Sequence, residues 1–183
     1  MIKTDFAAWS WTAGAGIDGL QQVRKPLEQP GPGEVLIANR AIALNPVDWK
    51  IIEWGHPAWK TGHIPGVDGM GVVVAAGAGV PIKLGTRVAY HQALERAGSF
   101  AQFCLLDAAT VLQVPTALDD VVAASMPCPG LTAWQALEKI PVVHNRDVLI
   151  IGAGVQSACC WLNWRYNAGF APGPRRPHHI THT

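Results

Sequence analysis

Three groups of residues in this chain are of types that do chemistry. The first is glycine spaced to admit a phosphate. Gly152-Ala153-Gly154 follows the apolar run Asp147–Ile151, an order of strand then turn that aims a following helix's free N–H groups at a pyrophosphate. Ser157 stands where a third glycine belongs. Gly14, Gly16 and Gly19 also fit GxGxxG, but Leu20–Pro26 is too short for the required helix and ends in proline, so an ordinary loop is expected there. Gly77-Ala78-Gly79 reads as a turn before Pro81. The second group is metal-binding in type: His56, His63, Cys104 and Cys128, then His178, His179 and His182. Their spacing is irregular and no acid follows the terminal histidines, so loop histidines and buried cysteines are expected, with no metal site. The third group is polar residues at element ends. Asp48 reads as a helix-start acid, Asp68 as a loop acid, and Tyr90 as a buried strand tyrosine rather than a proton donor.

The composition excludes several classes of function. The chain has 183 residues, enough for a sizeable core. It is 49% hydrophobic and 15% charged, against about 25% charged in ordinary soluble domains, so it is not a disordered chain. A formal charge of +1 leaves no basic footprint for nucleic acid. No apolar run approaches the ~18–20 residues of a membrane span, and the N-terminus lacks a signal-peptide core. Four cysteines without a CxxC pair favour a reducing, cytoplasmic setting.

The elements that must position these residues are short. Ile2–Trp11, Leu20–Lys25, Glu34–Leu44, Gly66–Ala76, Lys83–His91, Ser99–Leu106 and Val111–Val114 read as strands, with glycine and proline turns between them. Glycines within Gly66–Ala76 indicate bulges or close backbone contacts. Asn45 is placed to cap a short helix with Pro46 at its first position. This pattern predicts a small β-barrel or sandwich. Helices are expected over Ala117–Ser125 and Leu131–Ile140, the latter stopped by Pro141. Asp147–Ile151 then reads as a strand of a parallel sheet.

Several motifs together resemble one family. They are Asn45-Pro46-Val47-Asp48-Trp49-Lys50, Ile64-Pro65-Gly66-Val67-Asp68-Gly69-Met70-Gly71, Gly85-Thr86-Arg87-Val88-Ala89-Tyr90, Gly98-Ser99-Phe100-Ala101-Gln102-Phe103 and Pro127-Cys128-Pro129-Gly130-Leu131-Thr132-Ala133-Trp134. Their types and order resemble the zinc-free, quinone-oxidoreductase-like branch of the medium-chain dehydrogenase/reductases, over about residues 1–154. The resemblance implies a mixed α and β chain. A GroES-like β-barrel catalytic domain would span 1–125, and an incomplete Rossmann fragment would begin at 126 and run to 154. It implies an NADPH-dependent oxidoreductase that passes hydride to a quinone, enone or related carbonyl, and a homodimer or homotetramer. Asn45 is then a catalytic and cofactor-side residue, Lys50 a catalytic cation, and Thr132, Gly152 and Gly154 cofactor contacts. Zinc-dependent relatives hold their metal with Cys, His and Cys. Asn45 and Val67 stand at the first two of those places and Cys128 at the third, so no zinc is expected. Two alternatives are a zinc alcohol dehydrogenase-like protein and a non-catalytic GroES-like binding or assembly module.

The segment 155–183 does not match. From Val148 onward the chain has no Asp, Glu or Lys, yet holds Cys159, Cys160, Trp161 and Trp164. Codon junctions read one base out of register after Gly154 allow G-A-G-[GS]-[AST]-[VI]-G-[LMV]-L-L-A-Q-L-A from Gly152 onward, a glycine turn and an amphipathic helix. The expectation is therefore a frameshift after about Gly154. NADPH binding by this chain is expected to be weak or absent, and the fragment inactive by itself.

Overall fold

A computed structural model describes residues 4–139 of the chain. The expected strand Asp147–Ile151, the glycine turn Gly152–Gly154 and the segment 155–183 lie outside the described residues. Two compact units are distinguished, 1–128 and 129–183.

In the first unit, β1 (Asp5–Ser10) and β2 (Gln21–Pro26) form an antiparallel ribbon. β3 (Glu34–Ala43), β4 (Asp68–Ala76), β5 (Arg87–His91), β6 (Phe103–Asp107) and β7 (Val111–Gln113) form a second, antiparallel sheet in the order β6-β3-β4-β5-β7. A bridge between Ala8 and Ala101 joins ribbon to sheet. It draws Ser99–Ala101 away from the expected longer strand, so β6 starts only at Phe103. β5 is likewise shorter than expected, because Lys83–Thr86 close a turn with Gly85 at φ +84°.

α1 (Pro46–Trp54) begins at the expected cap and proline. α2 (Asp120–Ala124) is shorter than expected, because Asp119 caps it by accepting from the Val121 and Val122 N–H groups. α3 (Pro127–Glu138) begins before the expected Leu131. Pro127 and Pro129 fit there, because a first helical turn needs no N–H from them.

Three groups of buried side chains make the core. Phe6, Trp11, Ile52, Trp59, Ile64 and Phe100 pack between ribbon and α1. Val35, Ile37, Val73, Val88, Tyr90 and Leu106 fill one face of the sheet. On its other side Met70 and Ala89 meet Ala123 and Ala124 of α2. Arg87 holds the α2 approach by donating to the Pro115, Thr116 and Leu118 carbonyls and pairing with Asp120.

The glycines of β4 have the expected close contacts. A Cβ at Gly69 would overlap the Tyr90 hydroxyl, and one at Gly71 the Ala38 carbonyl. Tyr90 is fully buried and donates to Asn39 Oδ1 at 2.7 Å. Burial holds its hydroxyl well above the ordinary tyrosine value, which fits a packing role. Among the described residues, no helix is long and apolar enough to cross a membrane.

Two outcomes follow from this packing. Gly69→Ala should destabilise the chain by about 1–3 kcal/mol, read by urea unfolding, because the added methyl has no room. His63 stacks on Trp59 at 4.3 Å, and burial lowers its pKa from 6.5 to about 4. Between those values the unfolded chain binds a proton that the native chain refuses. Stability should therefore be full above pH 6.5 and fall as pH drops toward 4. His63→Phe should flatten that fall in denaturation midpoints measured across the range.

Candidate functional site

The site is built where three elements end together. β3 and β4 pair Ala43 with Asp68, which brings Asn45, two residues on, beside the Asp68 side chain. β4 and β5 pair Asp68 with His91 directly. The start of α3 brings in the Cys128 N–H. These are consequences of register: Asp68 opens β4, His91 closes β5, and Asn45 lies two residues past the end of β3.

Asp68 is the centre of this point and is fully buried. Its Oδ2 accepts from Asn45 Nδ2 at 3.1 Å and from the Cys128 N–H at 2.9 Å. Its Oδ1 lies 2.6 Å from His91 Nδ1. A carboxylate buried without such partners would be strongly unfavourable. The sequence reading of Asp68 as a loop acid is thus corrected: it opens β4 and takes its partners from β5, α3 and the Asn45 cap. His91, about a third exposed at its side chain, was not singled out from the sequence. The available signal was that an acid and a histidine lie at the ends of two adjacent expected strands.

Asp48 supports the same corner from α1. Its Oδ2 accepts from the Asn45 N–H at 2.7 Å and its Oδ1 from the Val67 N–H at 3.1 Å. Burial pushes its carboxyl above the ordinary aspartate value, against the pull of those two N–H groups. Asp48 therefore ties the residue before the helix to the residue before Asp68.

The other expected site residues are placed differently. Lys50 is exposed on α1, with Nζ 5.8 Å from the Trp49 ring centroid. Among the described residues it takes no part in the hydrogen bonds around Asp68. Thr132 is exposed on α3. Gly152 and Gly154 lie outside the described residues, so the structure gives no geometry for a pyrophosphate. Of His56, His63, Cys104 and Cys128, only Cys128 enters a group of donors among the described residues. Cys104 is buried, and its thiol is pushed up to about 11 by burial.

The zinc positions implied by the family likeness hold no ligand pair. Val67 is a buried apolar residue and the Asn45 amide nitrogen is given to Asp68. The fold nevertheless collects three donors that spacing did not indicate. Ligand atoms of Asp68, His91 and Cys128 all lie within 4.8 Å of one another. A carboxylate, an imidazole and a thiol are a donor set that suits a zinc ion.

Comparison with known proteins gives consistent matches. Residues 31–116 match the alcohol dehydrogenase GroES-like domain family. The chloroplast envelope quinone oxidoreductase homolog of Arabidopsis thaliana is 35% identical over 128 residues, covering 68% of this chain and 39% of that protein. A zinc-type alcohol dehydrogenase-like protein of Schizosaccharomyces pombe is 31% identical over 153 residues, covering 80% of this chain and 46% of its own length. Among solved structures, a mycobacterial protein complexed with NADPH superposes with a TM-score of 0.76 at 30% identity, covering 90% of this chain and 51% of that one. A quinone oxidoreductase of Pseudomonas syringae gives 0.77 at 26% identity, covering 90% and 50%. The chain thus spans half or less of the length of these curated relatives.

The corner around Asp48 yields a direct outcome. Asp48→Ala removes the acceptor of the Asn45 and Val67 N–H groups. Leaving both unsatisfied should cost about 2 kcal/mol or more in urea unfolding, well beyond the change at an exposed acid such as Asp18.

Proposed function

The chain belongs to the medium-chain dehydrogenase/reductase superfamily, and from that premise we propose that it serves an NADPH-dependent reductase of quinones, enones or related carbonyls. One observation carries the reading. A polar cluster of half-buried Asn45, His91 and Cys128 around the buried Asp68 lies at the strand ends of a GroES-like domain whose relatives include quinone oxidoreductases. In this reading residues 1–125 form the substrate side and the nucleotide side begins at 126.

When bound, NADPH supplies the hydride. The chain's own residues then have to orient the acceptor and stabilise charge that develops on its oxygen. Asn45 is assigned to the cleft: Asp68 fixes its amide nitrogen at 3.1 Å and Asp48 fixes its backbone N–H at 2.7 Å. A residue held at both its backbone and its side chain is pre-organised, which is what a positioning group needs. Lys50, exposed on the same helix, is assigned as a nearby positive charge. Thr132, Gly152 and Gly154 are assigned to the nucleotide side. A small-molecule carbonyl or quinone is the substrate, and a reducing cytoplasm the setting.

The three-donor group of Asp68, His91 and Cys128 favours a second reading, a zinc-dependent alcohol dehydrogenase-like protein. One assay separates the two. The protein with its reading frame restored after Gly154 is titrated with NADPH by fluorescence, then given a quinone, an enone, or an alcohol with oxidised nucleotide, beside the chain itself, which is expected to bind NADPH weakly or not at all. Loss of NADPH absorbance with quinone or enone in the restored protein, slowed at least tenfold by Asn45→Ala, is the expected result. Alcohol-dependent formation of reduced nucleotide would favour the second reading. No nucleotide binding by the restored protein would contradict both and favour a non-catalytic binding module.

A further inference from the structure

We infer that Asp68, His91 and Cys128 form a divalent-cation site of zinc type, built from a donor set other than the one the family likeness implies. That likeness puts ligands at Asn45, Val67 and Cys128, of which only Cys128 is a donor. The fold replaces the missing pair with Asp68 from the first position of β4 and His91 from the last position of β5. All three ligand atoms lie within 4.8 Å of one another.

The carboxylate is oriented for this. Asn45 Nδ2 and the Cys128 N–H occupy Oδ2, at 3.1 and 2.9 Å, so Oδ1 is the oxygen turned to His91 Nδ1. Hydrogen bonds of this kind fix a metal-binding carboxylate and sharpen its affinity. Zinc bonds of about 2.0–2.3 Å place ligand atoms roughly 3.3–3.7 Å apart in a tetrahedron. The 2.6 Å contact of Oδ1 with Nδ1 must therefore open by about 1 Å as an ion enters. His91 can make that move, because its side chain is 34% exposed while Asp68 is fixed at 0%. One sulfur, one nitrogen and one oxygen favour zinc over calcium or magnesium, and three protein donors leave a fourth position open. A bound ion takes a carboxylate, a neutral imidazole and a thiolate, so binding releases protons.

The site requires neither NADPH nor turnover, and it stands or falls separately from the reductase reading. The test uses the full chain, stripped with a chelator and titrated with cobalt(II), then with zinc(II). One cobalt per chain, with tetrahedral visible bands and a thiolate-to-cobalt charge-transfer band that zinc bleaches, is the expected result. Cys128→Ser should abolish the charge-transfer band. His91→Gln, at a partly exposed position, should weaken affinity at least tenfold while circular dichroism stays unchanged. Cys104→Ser should leave the spectrum as it was. Absence of the band in the unaltered chain, or a band that survives Cys128→Ser or an affinity that survives His91→Gln, would overturn the assignment.

Discussion

A single carboxylate with no access to water sets the terms for this corner of the fold. Asp68 has to be satisfied from inside the protein, and its partners come from separate elements: Asn45 before α1, His91 at the end of β5, and Cys128 at the start of α3. A buried acid is tolerated only where donors of correct geometry are already in place. The register of β3 with β4, and of β4 with β5, is therefore tied to the chemistry of one side chain. A slip of one residue in either pairing would turn Asp68 away from these partners.

The packing around that corner follows the same logic. Gly69 and Gly71 leave room beside Asp68 for the Tyr90 ring and the Ala38 carbonyl. The sheet can then bury residues on both faces, with Val73 and Tyr90 on one side and Met70 against α2 on the other. Asp48 repeats the device at smaller scale, joining the cap of α1 to Val67 just ahead of β4. These contacts make the polar cluster a rigid feature of the fold rather than a loop assembly, which suits a group that positions a ligand.

Much of the architecture was legible in the residues themselves. Asn45-Pro46 announced the helix start, and the alternating or apolar runs announced each strand. The motif order identified the GroES-like fold, and the loop at Gly14–Gly19 leads into the strand β2, as its short following run and closing proline implied. Element ends were less legible for local reasons: Pro127 and Pro129 fit a first helical turn, and Phe100 and Ala101 pair with the ribbon instead of extending β6. The candidate site was only half legible. Asn45 was found because it lies in a recognisable motif. Asp68 and His91 were not, because their meaning depends on a cross-strand pairing between residues 23 apart, and spacing along the chain carries no sign of it.

The central claim is that Asp68 and its partners act as one unit. A double-mutant cycle on urea unfolding of Asn45→Ala and Asp68→Asn tests it most directly. The account predicts that the double substitution costs less than the sum of the two singles, with a coupling of about 1 kcal/mol or more. Strictly additive costs would mean that the Asn45–Asp68 contact carries no energy and would contradict it.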